Sequence, residues 1–414
     1  MDLKTLYEDY KHCISNKKRS VDCVHFMLHW VRNLVRLLDD VNDRSLLALL
    51  YTWITLIPRA REVNACLTEM KVIQDHFDIR VRPLVEEELT DRTFNNRVGY
   101  GPDQAMNQLL TDIYEVSRGF TRDCWVISRD ITACFPSASL PRVYDRYRAL
   151  IERSFPEGEE RDDLLWILQR VVWSYPSKNS RFRSPRWMWS KYIEPHKSII
   201  FGKDPEKGGA LGHQFWQVAM NYDLDEFDHR QVDAAGLRYL RFVDDMRWVT
   251  DNKEAALAYV AQEERWLLDN YGYRMHPKKR QVQHFTKGGE FIGMHYRMER
   301  VYAGNRIVRR ATAKVKAWNR MPRLYLLEHF LASVNSYLGN FKRKNAYGIL
   351  RDFVDGISPE WWRWCSYDDR RKAIVANPGY THNELLLQKY HFKLSKSKRN
   401  GNTGKNQRPR VAAA

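Results

Sequence analysis

Two adjacent aspartates, Asp244 and Asp245, interrupt an apolar stretch that runs from Tyr239 to Thr250. β-Branched and aromatic residues flank the pair on both sides, which predicts two short strands joined by a turn at the aspartates. A turn that only satisfies its own backbone usually carries Gly or Asn, and this one carries neither. Neighbouring carboxylates repel each other, so the pair favours a nearby cation, although a solvated surface turn gives the same pattern.

A third aspartate follows another apolar segment, Cys124 to Ile127, which predicts a strand that leads into Asp130. An aromatic residue, Phe135, lies five residues further along the chain. If the strand end at Asp130 lies beside the Asp244–Asp245 turn, the carboxylates together provide the hard oxygen ligands that Mg²⁺ prefers. Such a set is what two-metal phosphoryl transfer requires.

Three segments in this order resemble the palm motifs of reverse transcriptases. Asp130 to Phe135 is similar to the first catalytic motif, and Phe242 to Asp245 is similar to the aromatic-x-Asp-Asp motif. Between them, Gly208 to Gly212 leads into a helix-like run with Asn221 and Asp228, which resembles the motif that positions template and nucleotide. The order and spacing of the three motifs carry the resemblance, since any one of them alone is a weak signal.

The resemblance implies an RNA-directed DNA polymerase, a nucleotidyltransferase that uses two Mg²⁺ ions, with Mn²⁺ as an alternative. Phe135 is expected to pack under the sugar and exclude a 2′-hydroxyl, which makes the product DNA. Lys279 is expected to protonate the leaving pyrophosphate as a general acid, with Lys278 as the alternative. The expected catalytic residues are Asp130, Asp244, Asp245 and Lys279, and the expected metal-binding residues are the three aspartates and Ile131.

Basic and small residues elsewhere resemble further contact sites of the same family. Arg59 and Arg61 precede a predicted helix from Glu69 to about Glu88 and are candidates to hold the incoming triphosphate, unless they lie on a solvated edge. The helix after Gly212 departs from the family pattern, because bulky Trp216 stands where a small residue would face the template base pair. The remaining candidates are Gln217 for the nucleotide, and Arg97, Gly212, Trp216, Gly293, Lys342 and Arg343 for nucleic acid.

The composition favours a polyanionic partner. The 414 residues carry a formal net charge of +17, and 13% of them are aromatic, which suits nucleic acid whose bases can be stacked on. No apolar stretch is long enough to cross a bilayer and no signal peptide is recognised, which predicts a cytoplasmic protein. The six cysteines include no Cys-x-x-Cys pair and are expected to be reduced core residues.

The hydrophobic pattern and the resemblance together predict an α+β protein with the right-hand polymerase fold: fingers, a palm with an antiparallel sheet, and a helical thumb. An insertion at 173–200, rich in aromatic and basic residues, is expected to grip single-stranded nucleic acid, although packing claims some of its rings. Asp223 and Asp225 are expected on a solvated helix face. The expected boundaries are 1–56 for a helical N-terminal extension, 57–120 for the fingers, 121–300 for the palm, 301–392 for the thumb and 393–414 for a disordered basic tail.

Short length, strong positive charge and an altered template motif resemble the defence-associated (antiphage) reverse transcriptases of bacteria, which copy a dedicated noncoding RNA. The expected partners are that noncoding RNA template, the DNA product and dNTPs, with a second copy of the chain or a second defence protein as candidates and no membrane. A diversity-generating retroelement enzyme is the alternative, since Ser336 to Lys342 resembles its thumb signature. The third reading is a palm fold kept as an RNA-binding scaffold, although a scaffold has no need to hold three anions together.

Overall fold

The computed structural model describes residues 1–15, 21–56, 60–174, 176–202, 204–232, 237–342 and 346–381. The chain divides into two compact units, Met1–Lys287 and Gly288–Ala414, each with a hydrophobic core. Both units combine helices and strands, which confirms the mixed α and β class. Arg59, Arg343 and the basic segment 393–414 lie outside the described residues.

The first unit combines helices with the strands of two sheets. Its helices are α1 (Leu3–Ile14), α2 (Val21–Leu28), α3 (Trp30–Asn42), α4 (Thr68–Glu88), α5 (Pro102–Val116), α6 (Cys134–Ser137), α7 (Leu140–Ser154), α8 (Glu159–Val172), α9 (Pro176–Asn179), α10 (Trp187–Tyr192), α11 (Gln214–Asp223), α12 (Asp225–Val232) and α13 (Lys253–Tyr271). Its strands are β1 (Leu50–Thr55), β2 (Arg61–Cys66), β3 (Trp125–Asp130), β4 (Ser180–Phe182), β5 (Arg238–Phe242), β6 (Asp245–Thr250) and β7 (Gln281–His284). Helix α4 confirms the prediction of a helix from Glu69 to about Glu88.

The central sheet of this unit has the strand order β5-β6-β3-β7, and each neighbouring pair is antiparallel. Its strands β5 and β6 are buried at nearly every position, because α5 packs on both and α12 packs on β5. A strand covered on both faces carries a continuous apolar run, which is the pattern found around the Asp244–Asp245 pair. The packing fixes the ends of β3, β5 and β6, and those ends carry the aspartates.

A second sheet has the order β2-β1-β4, with β1 antiparallel to β2 and parallel to β4. The prediction that residues 1–56 are helical is therefore wrong at its end, although α1 to α3 agree with it. Residues 51–55 are aromatic or β-branched, and buried positions alternate with half-buried ones along β1, which favours a strand. Strand β4 belongs to the 173–200 insertion, so part of that insertion is folded into a sheet.

The second unit contains an antiparallel sheet of order β10-β9-β8, formed by β8 (Gly289–Phe291), β9 (Met294–Arg297) and β10 (Arg300–Ala303). The predicted palm boundary at residue 300 falls inside this sheet. Trp361 is fully buried in the core of the unit and stacks on Phe330 with ring centroids 4.0 Å apart. The remaining elements are α14 (Asn305–Asn319), α15 (Leu327–Phe341) and α16 (Tyr347–Asp355), which pack on one another, and the paired strands β11 (Cys365–Asp368) and β12 (Ala373–Ala376), of which β12 packs on α15.

Two expectations from the sequence concern the cysteines, expected to be reduced core residues, and the absence of a stretch that could cross a bilayer. All six cysteines are buried and no disulfide joins them, as expected for core residues. Burial raises the pKa of the Cys124 thiol to about 12, so this thiol stays protonated at neutral pH. None of the helices in the described part of the chain is both long enough and apolar enough to span a bilayer.

Candidate active site

The tip of the β5–β6 hairpin is a turn formed by Val243 and Asp244. Val243 has a positive φ of 59°, a conformation that is costly for a β-branched residue. Two side chains hold the turn: the Val243 N–H donates to Asn95 Oδ1 at 2.8 Å, and the Arg241 guanidinium donates to the Val243 carbonyl at 3.0 Å. The surrounding side chains therefore stabilise a turn that lacks the usual Gly or Asn.

The hairpin tip lies beside the end of β3, so the three aspartates meet at one edge of the central sheet. Asp130, the last residue of β3, pairs with Asp245 across the antiparallel ladder. The Ile131 N–H donates to the Asp244 carbonyl at 3.0 Å, and the His276 N–H donates to the Asp130 carbonyl at 2.7 Å. The structure thus brings together the aspartates that the sequence pattern singled out, although they come from distant segments.

Negative charge is concentrated at this edge of the sheet. Burial, with further contributions from the neighbouring Asp130 and Asp245 carboxylates, raises the pKa of Asp244 to about 6. The Lys279 ammonium opposes that shift, and it forms an ion pair with Asp130 Oδ2. Arg247 Nη1 lies 3.8 Å from Asp245 Oδ1. Since burial and mutual repulsion both penalise the charged carboxylates, the edge favours binding of additional positive charge.

The donor chemistry fits Mg²⁺, which is bound by one or two carboxylates together with water and substrate phosphates. The side chains are not gathered around a common point: among the described residues, no group of three or more His, Cys, Asp or Glu side chains is arranged to hold a metal ion. Asp130 contacts Lys279 instead, and the Lys279 side chain is 42% exposed. Metal binding at this edge therefore requires Lys279 to leave Asp130, which a long, exposed side chain can do.

A buried ion pair supports the hairpin from inside the protein. Arg241 and Asp228 are both fully buried, and Arg241 Nε lies 2.9 Å from Asp228 Oδ1. Burial alone would lower the pKa of Arg241, but the Asp228 carboxylate raises it, and the net shift is upward. The hydroxyls of Thr93 and Tyr239 donate to the same carboxylate at 2.9 and 2.7 Å. The sequence analysis identified Asp228 only by its place in the motif. The signal for its partner, Arg241, is the presence of an arginine within an apolar strand.

Two asparagines connect this ion pair to the hairpin tip. Asn95 Nδ2 donates to Asn221 Oδ1 at 2.8 Å, and Asn221 Nδ2 donates to the Asn95 carbonyl at 2.6 Å. Arg241 Nη1 also donates to Asn221 Oδ1, at 3.3 Å. Asn221 lies on α11, and Asn95 Oδ1 accepts the hydrogen bond from the Val243 N–H. The two asparagines therefore connect α11 to the turn that positions Asp244. Sequence reasoning missed Asn95, whose role depends on a partner far away in the chain.

The prediction that Asp223 and Asp225 lie on a solvated helix face is wrong, because both residues are buried. Arg142 donates to the two Asp223 carboxylate oxygens at 2.7 and 2.8 Å, and Tyr273 Oη donates to this carboxylate at 2.6 Å. Burial, followed by the neighbouring Asp228 carboxylate, raises the pKa of Asp225 to about 6. The physical reason for the error is that α11 packs against α7, so the end of α11 faces the core.

The candidate nucleotide-binding residues lie on different elements of the first unit. Phe135 is half-buried on α6, and its carbonyl accepts a hydrogen bond from the Gly209 N–H at 2.7 Å. Arg61 is exposed at the first position of β2, and Gln217 is exposed on α11. All three side chains are thus at least partly accessible to a ligand, and their assignment to the nucleotide stays a prediction.

The structure corrects the expectation for Trp216, which is buried, and it shows Arg97 half-buried with its guanidinium bound to its own loop. Trp216 is fully buried, and a Cβ on Gly209 would come within 2.7 Å of its ring, so the absence of a side chain at Gly209 makes room for the indole. Arg97 donates to the Thr93 carbonyl at 3.2 Å, and its guanidinium lies 4.2 Å from the centre of the Tyr100 ring. The indole fills the core and does not face a template, whereas a contact of the half-buried Arg97 with nucleic acid stays a prediction.

Gly212 allows the loop before α11 to approach β2 closely. Its φ is +118°, and a Cβ at this position would lie 3.0 Å from the Asn64 carbonyl oxygen. The Asn64 N–H donates to the carbonyl of the preceding residue, Leu211, at 2.7 Å. Gly212 and Gln217 also line a cavity of about 410 Å³, together with the cationic side chains of Lys71 and Arg82. A direct contact of Gly212 with nucleic acid stays a prediction.

In the second unit, Gly293 lies in the tight turn of the β8–β9 hairpin. Ile292 and Gly293 are the turn residues, and their φ values are 51° and 72°. Positive φ at both central residues matches the twist of the flanking strands, which explains the glycine. Lys342 is exposed and follows the last residue of α15. The structure does not test whether Gly293 contacts a primer or Lys342 a duplex.

No protein-family model matches the chain, and no curated protein matches it. The chain is similar to solved structures of telomerase, among them the following two. One is apo telomerase from Candida tropicalis, with a TM-score of 0.46, 13% identity, and coverage of 75% of this chain and 55% of that one. The other is telomerase from Candida albicans in complex with a fragment of telomeric RNA, with a TM-score of 0.43, 12% identity, and coverage of 76% and 61%. The chain thus spans little more than half the length of these telomerases, and at such TM-scores the functional argument rests on the site itself.

Proposed function

We propose that the protein is an RNA-templated DNA polymerase, a reverse transcriptase. The observation that carries the proposal is the register of the central sheet, which places Asp130 opposite Asp245 and the Asp244 carbonyl on the Ile131 N–H. Lys279 and Arg247 offset the repulsion between these carboxylates only in part, since the pKa of Asp244 is still raised, and a perturbed carboxylate of this kind supports a functional site. The two similar telomerase structures are in keeping with this proposal but do not carry it.

The three aspartates, with Ile131 beside them, would hold two Mg²⁺ ions, or Mn²⁺ in their place. When bound, such ions activate a primer 3′-hydroxyl and stabilise the leaving pyrophosphate during in-line displacement. Lys279 would then leave Asp130, place its ammonium near the pyrophosphate and donate a proton to it as a general acid. Phe135 would pack its half-buried ring under the sugar and leave no room for a 2′-hydroxyl, which selects dNTPs and makes the product DNA.

The right-hand arrangement of fingers, palm and thumb is part of the same proposal. The antiparallel sheet with the aspartates at its edge would be the palm, and the helices α14 to α16 of the second unit would be the thumb. The net charge of +17 supports RNA as the template partner, since neutralising phosphates releases counterions and favours binding.

The biological setting that we propose is bacterial antiphage defence, in which the enzyme copies a dedicated noncoding RNA. The strong positive charge of the chain supports it. The buried position of Trp216 does not support it, because an indole in the core cannot contact a template. A diversity-generating retroelement enzyme is the alternative. Sequencing the nucleic acid that co-purifies with the protein distinguishes them: a structured noncoding RNA supports defence, and a template repeat of a variable gene supports the retroelement.

A palm fold kept as an RNA-binding scaffold is a second candidate function, because one observation favours it. Lys279 already neutralises Asp130, and the described carboxylates are not gathered for a metal ion. A scaffold of this kind would bind RNA without consuming dNTPs, so a polymerase assay separates the two functions.

The decisive experiment compares Asp244→Asn with Asp251→Asn in a primer-extension assay with Mg²⁺ and dNTPs. Asp251 is exposed and directly follows β6, at the end of this strand opposite Asp245, so it provides the same loss of charge away from the site. We expect Asp244→Asn to abolish incorporation, to leave RNA binding unchanged and to leave the unfolding midpoint no lower than that of the wild type, because the charged carboxylate is unfavourable where it is buried. Asp251→Asn should behave like the wild type. Undiminished DNA synthesis by Asp244→Asn would refute the site, and a wild-type chain that binds RNA but extends no primer would favour the scaffold.

A further inference from the structure

We propose that the 173–200 insertion carries a binding platform for single-stranded nucleic acid, formed by Arg183, Arg186, Trp187, Lys191 and Tyr192. We refer to these five residues as the Trp187 surface. The inference rests on the proposed polymerase function for its biological meaning, and it adds a site that is separate from the aspartates. Four observations carry it: exposed rings, an excess of positive charge, cations placed on rings, and a buried carboxylate that fixes the segment.

Two aromatic rings of the Trp187 surface are open to solvent. Trp187 is 58% exposed and Tyr192 is 37% exposed. Their ring centroids lie 6.5 Å apart with an angle of 48° between the planes, and Lys191 Nζ lies 5.7 Å from the centre of the first ring and 5.3 Å from the second. A stacked base covers such a ring on its free face, and the ammonium between the rings is placed for a phosphate.

The charge of the segment is strongly positive. Residues 180–197 contain five Lys or Arg residues and a single acidic residue, Glu194. Glu194 forms an ion pair with Lys197 at 2.8 Å, so its carboxylate is used at one end of the segment. Arg183 and Arg186 lie over the rings of Tyr51 and Phe182, at 3.6 and 4.8 Å from the ring centres. A guanidinium that stacks through its face keeps its N–H edge for phosphate oxygens.

The segment is fixed to the second sheet by the buried carboxylate of Glu62, which is 6% exposed. This carboxylate accepts hydrogen bonds from Trp189 Nε1 at 2.8 Å and from the N–H groups of Ile199 and Ile200 at 3.0 and 3.3 Å. Strand β4 also pairs with β1. Trp189 is thereby buried while Trp187, two residues before it, faces solvent. A platform that is already ordered loses little conformational entropy when it binds.

The rings identify the partner as single-stranded. In a duplex the bases are paired and stacked on each other, so only phosphates and groove edges are accessible. The cations alone would bind single and double strands, whereas the rings add affinity only for unpaired bases. RNA template and DNA product share this chemistry, and the experiment separates them with matched oligonucleotides.

The test measures binding of oligouridylate, the matched oligothymidylate DNA and duplex RNA to the full chain over a range of salt concentrations. We expect Trp187→Ala to weaken binding of the single strand roughly five- to hundredfold, as for one lost stacked base, without changing the salt slope. We expect Lys191→Gln to flatten the slope of log affinity against log salt by about 0.7, the value for one lost single-strand phosphate contact. Matched controls are Tyr114→Ala, at an aromatic residue that is 57% exposed, and Arg148→Gln, at an arginine that is 53% exposed, and both should bind like the wild type.

Equal affinity of Trp187→Ala and wild type for both single strands would overturn the proposal, and so would an equal loss for duplex RNA or for the Tyr114→Ala control. If Trp187→Ala does not fold, Tyr192→Ala, at the second exposed ring, takes its place in the same comparison of single strands with duplex RNA. A preference for oligouridylate over the DNA assigns the surface to the template, and the reverse preference assigns it to the product. Primer extension is scored separately, so a chain that binds through the Trp187 surface but incorporates no dNTP would refute the polymerase proposal and not this one.

Discussion

Replacing Arg241 with Met should destabilise the first unit strongly, because it leaves a buried carboxylate without its counter-charge. Arg241 and Asp228 have no solvent exposure, so water cannot replace the guanidinium. Methionine is of similar length and keeps much of the packing, which isolates the loss of charge and hydrogen bonds. Two hydroxyl donors to Asp228 remain, from Thr93 and Tyr239, and they offset part of the loss.

Removing one partner of a buried ion pair costs about 3–5 kcal/mol. The substitution also removes the hydrogen bond from Arg241 to the Val243 carbonyl, worth about 1 kcal/mol. With the remaining donors to Asp228 taken into account, we expect the free energy of unfolding to fall by about 3–4 kcal/mol. Urea unfolding followed by circular dichroism measures this as a lower midpoint. We also expect the folded fraction of this variant to extend primers more slowly, because the same arginine holds the turn that carries Asp244.

Two comparisons test whether the Arg241–Asp228 ion pair stabilises the fold in this way. Arg148 and Glu152 form an exposed ion pair at 2.7 Å, and Arg148→Met should leave the urea midpoint close to that of the wild type, because solvent screens the pair. The double variant Arg241→Met with Asp228→Leu should be less destabilised than the sum of its single variants, because it leaves no unpaired charge. A loss below about 1 kcal/mol for Arg241→Met, or full additivity in the double variant, would show that the pair does not act as described.

Two further predictions concern the nucleotide and the buried histidine. Phe135→Ala should raise ribonucleotide incorporation relative to dNTP incorporation in a competition assay, and an unchanged ratio would mean that the ring packs elsewhere. Burial lowers the pKa of His213 from 6.5 to about 4, so between these values the unfolded chain binds a proton that the native chain does not, and stability falls as the pH drops. The full loss in the free energy of unfolding is about 3 kcal/mol. The difference between the urea midpoints near pH 7 and pH 5 should be smaller for His213→Gln than for the wild type. The same difference in both proteins would contradict this assignment.

The aspartate cluster could be predicted from the sequence because its signal is local. A carboxylate is rare inside an apolar strand pattern, and Asp130, Asp244 and Asp245 stand at the ends of such patterns. The pattern gives neither the order nor the direction of the strands, so the expectation that Asp130 lies beside the hairpin depended on the resemblance to the palm motifs. The mixed α and β class and helix α4 follow from periodicity.

The side chains that support the cluster could not be predicted, because their partners are far away in the chain. Asn95 holds the Val243 N–H across 148 residues of sequence, and Glu62 binds the segment around Trp189 across 127 residues. A glutamate on a strand that begins with an arginine is usually a solvated edge residue. Only the packing of β2 against the insertion turns Glu62 into a buried acceptor.

The error at Trp216 and the unexpected contacts of Arg97 have a related cause: a sequence gives the type of a side chain but not its direction. Arg97 points to backbone carbonyls of its own loop, and Trp216 points into the space that Gly209 leaves open. The pairing of a glycine with a buried indole is a packing solution, so the bulky residue in this helix needs no functional explanation. The wrong prediction for the end of 1–56 has a different cause, because an apolar run without clear periodicity fits a helix or the strand β1 that the structure shows.

The burial of Trp216 also changes where template choice has to be sought. An indole in the core cannot narrow a template channel, so a preference for one dedicated RNA has to come from contacts that lie elsewhere on the folded chain. The Trp187 surface would add a preference for unpaired over paired bases, whereas the general positive charge binds any RNA. Affinity and the preference for single strands would then have separate origins in this protein: charge would supply the first, and the placement of exposed rings by Glu62 the second.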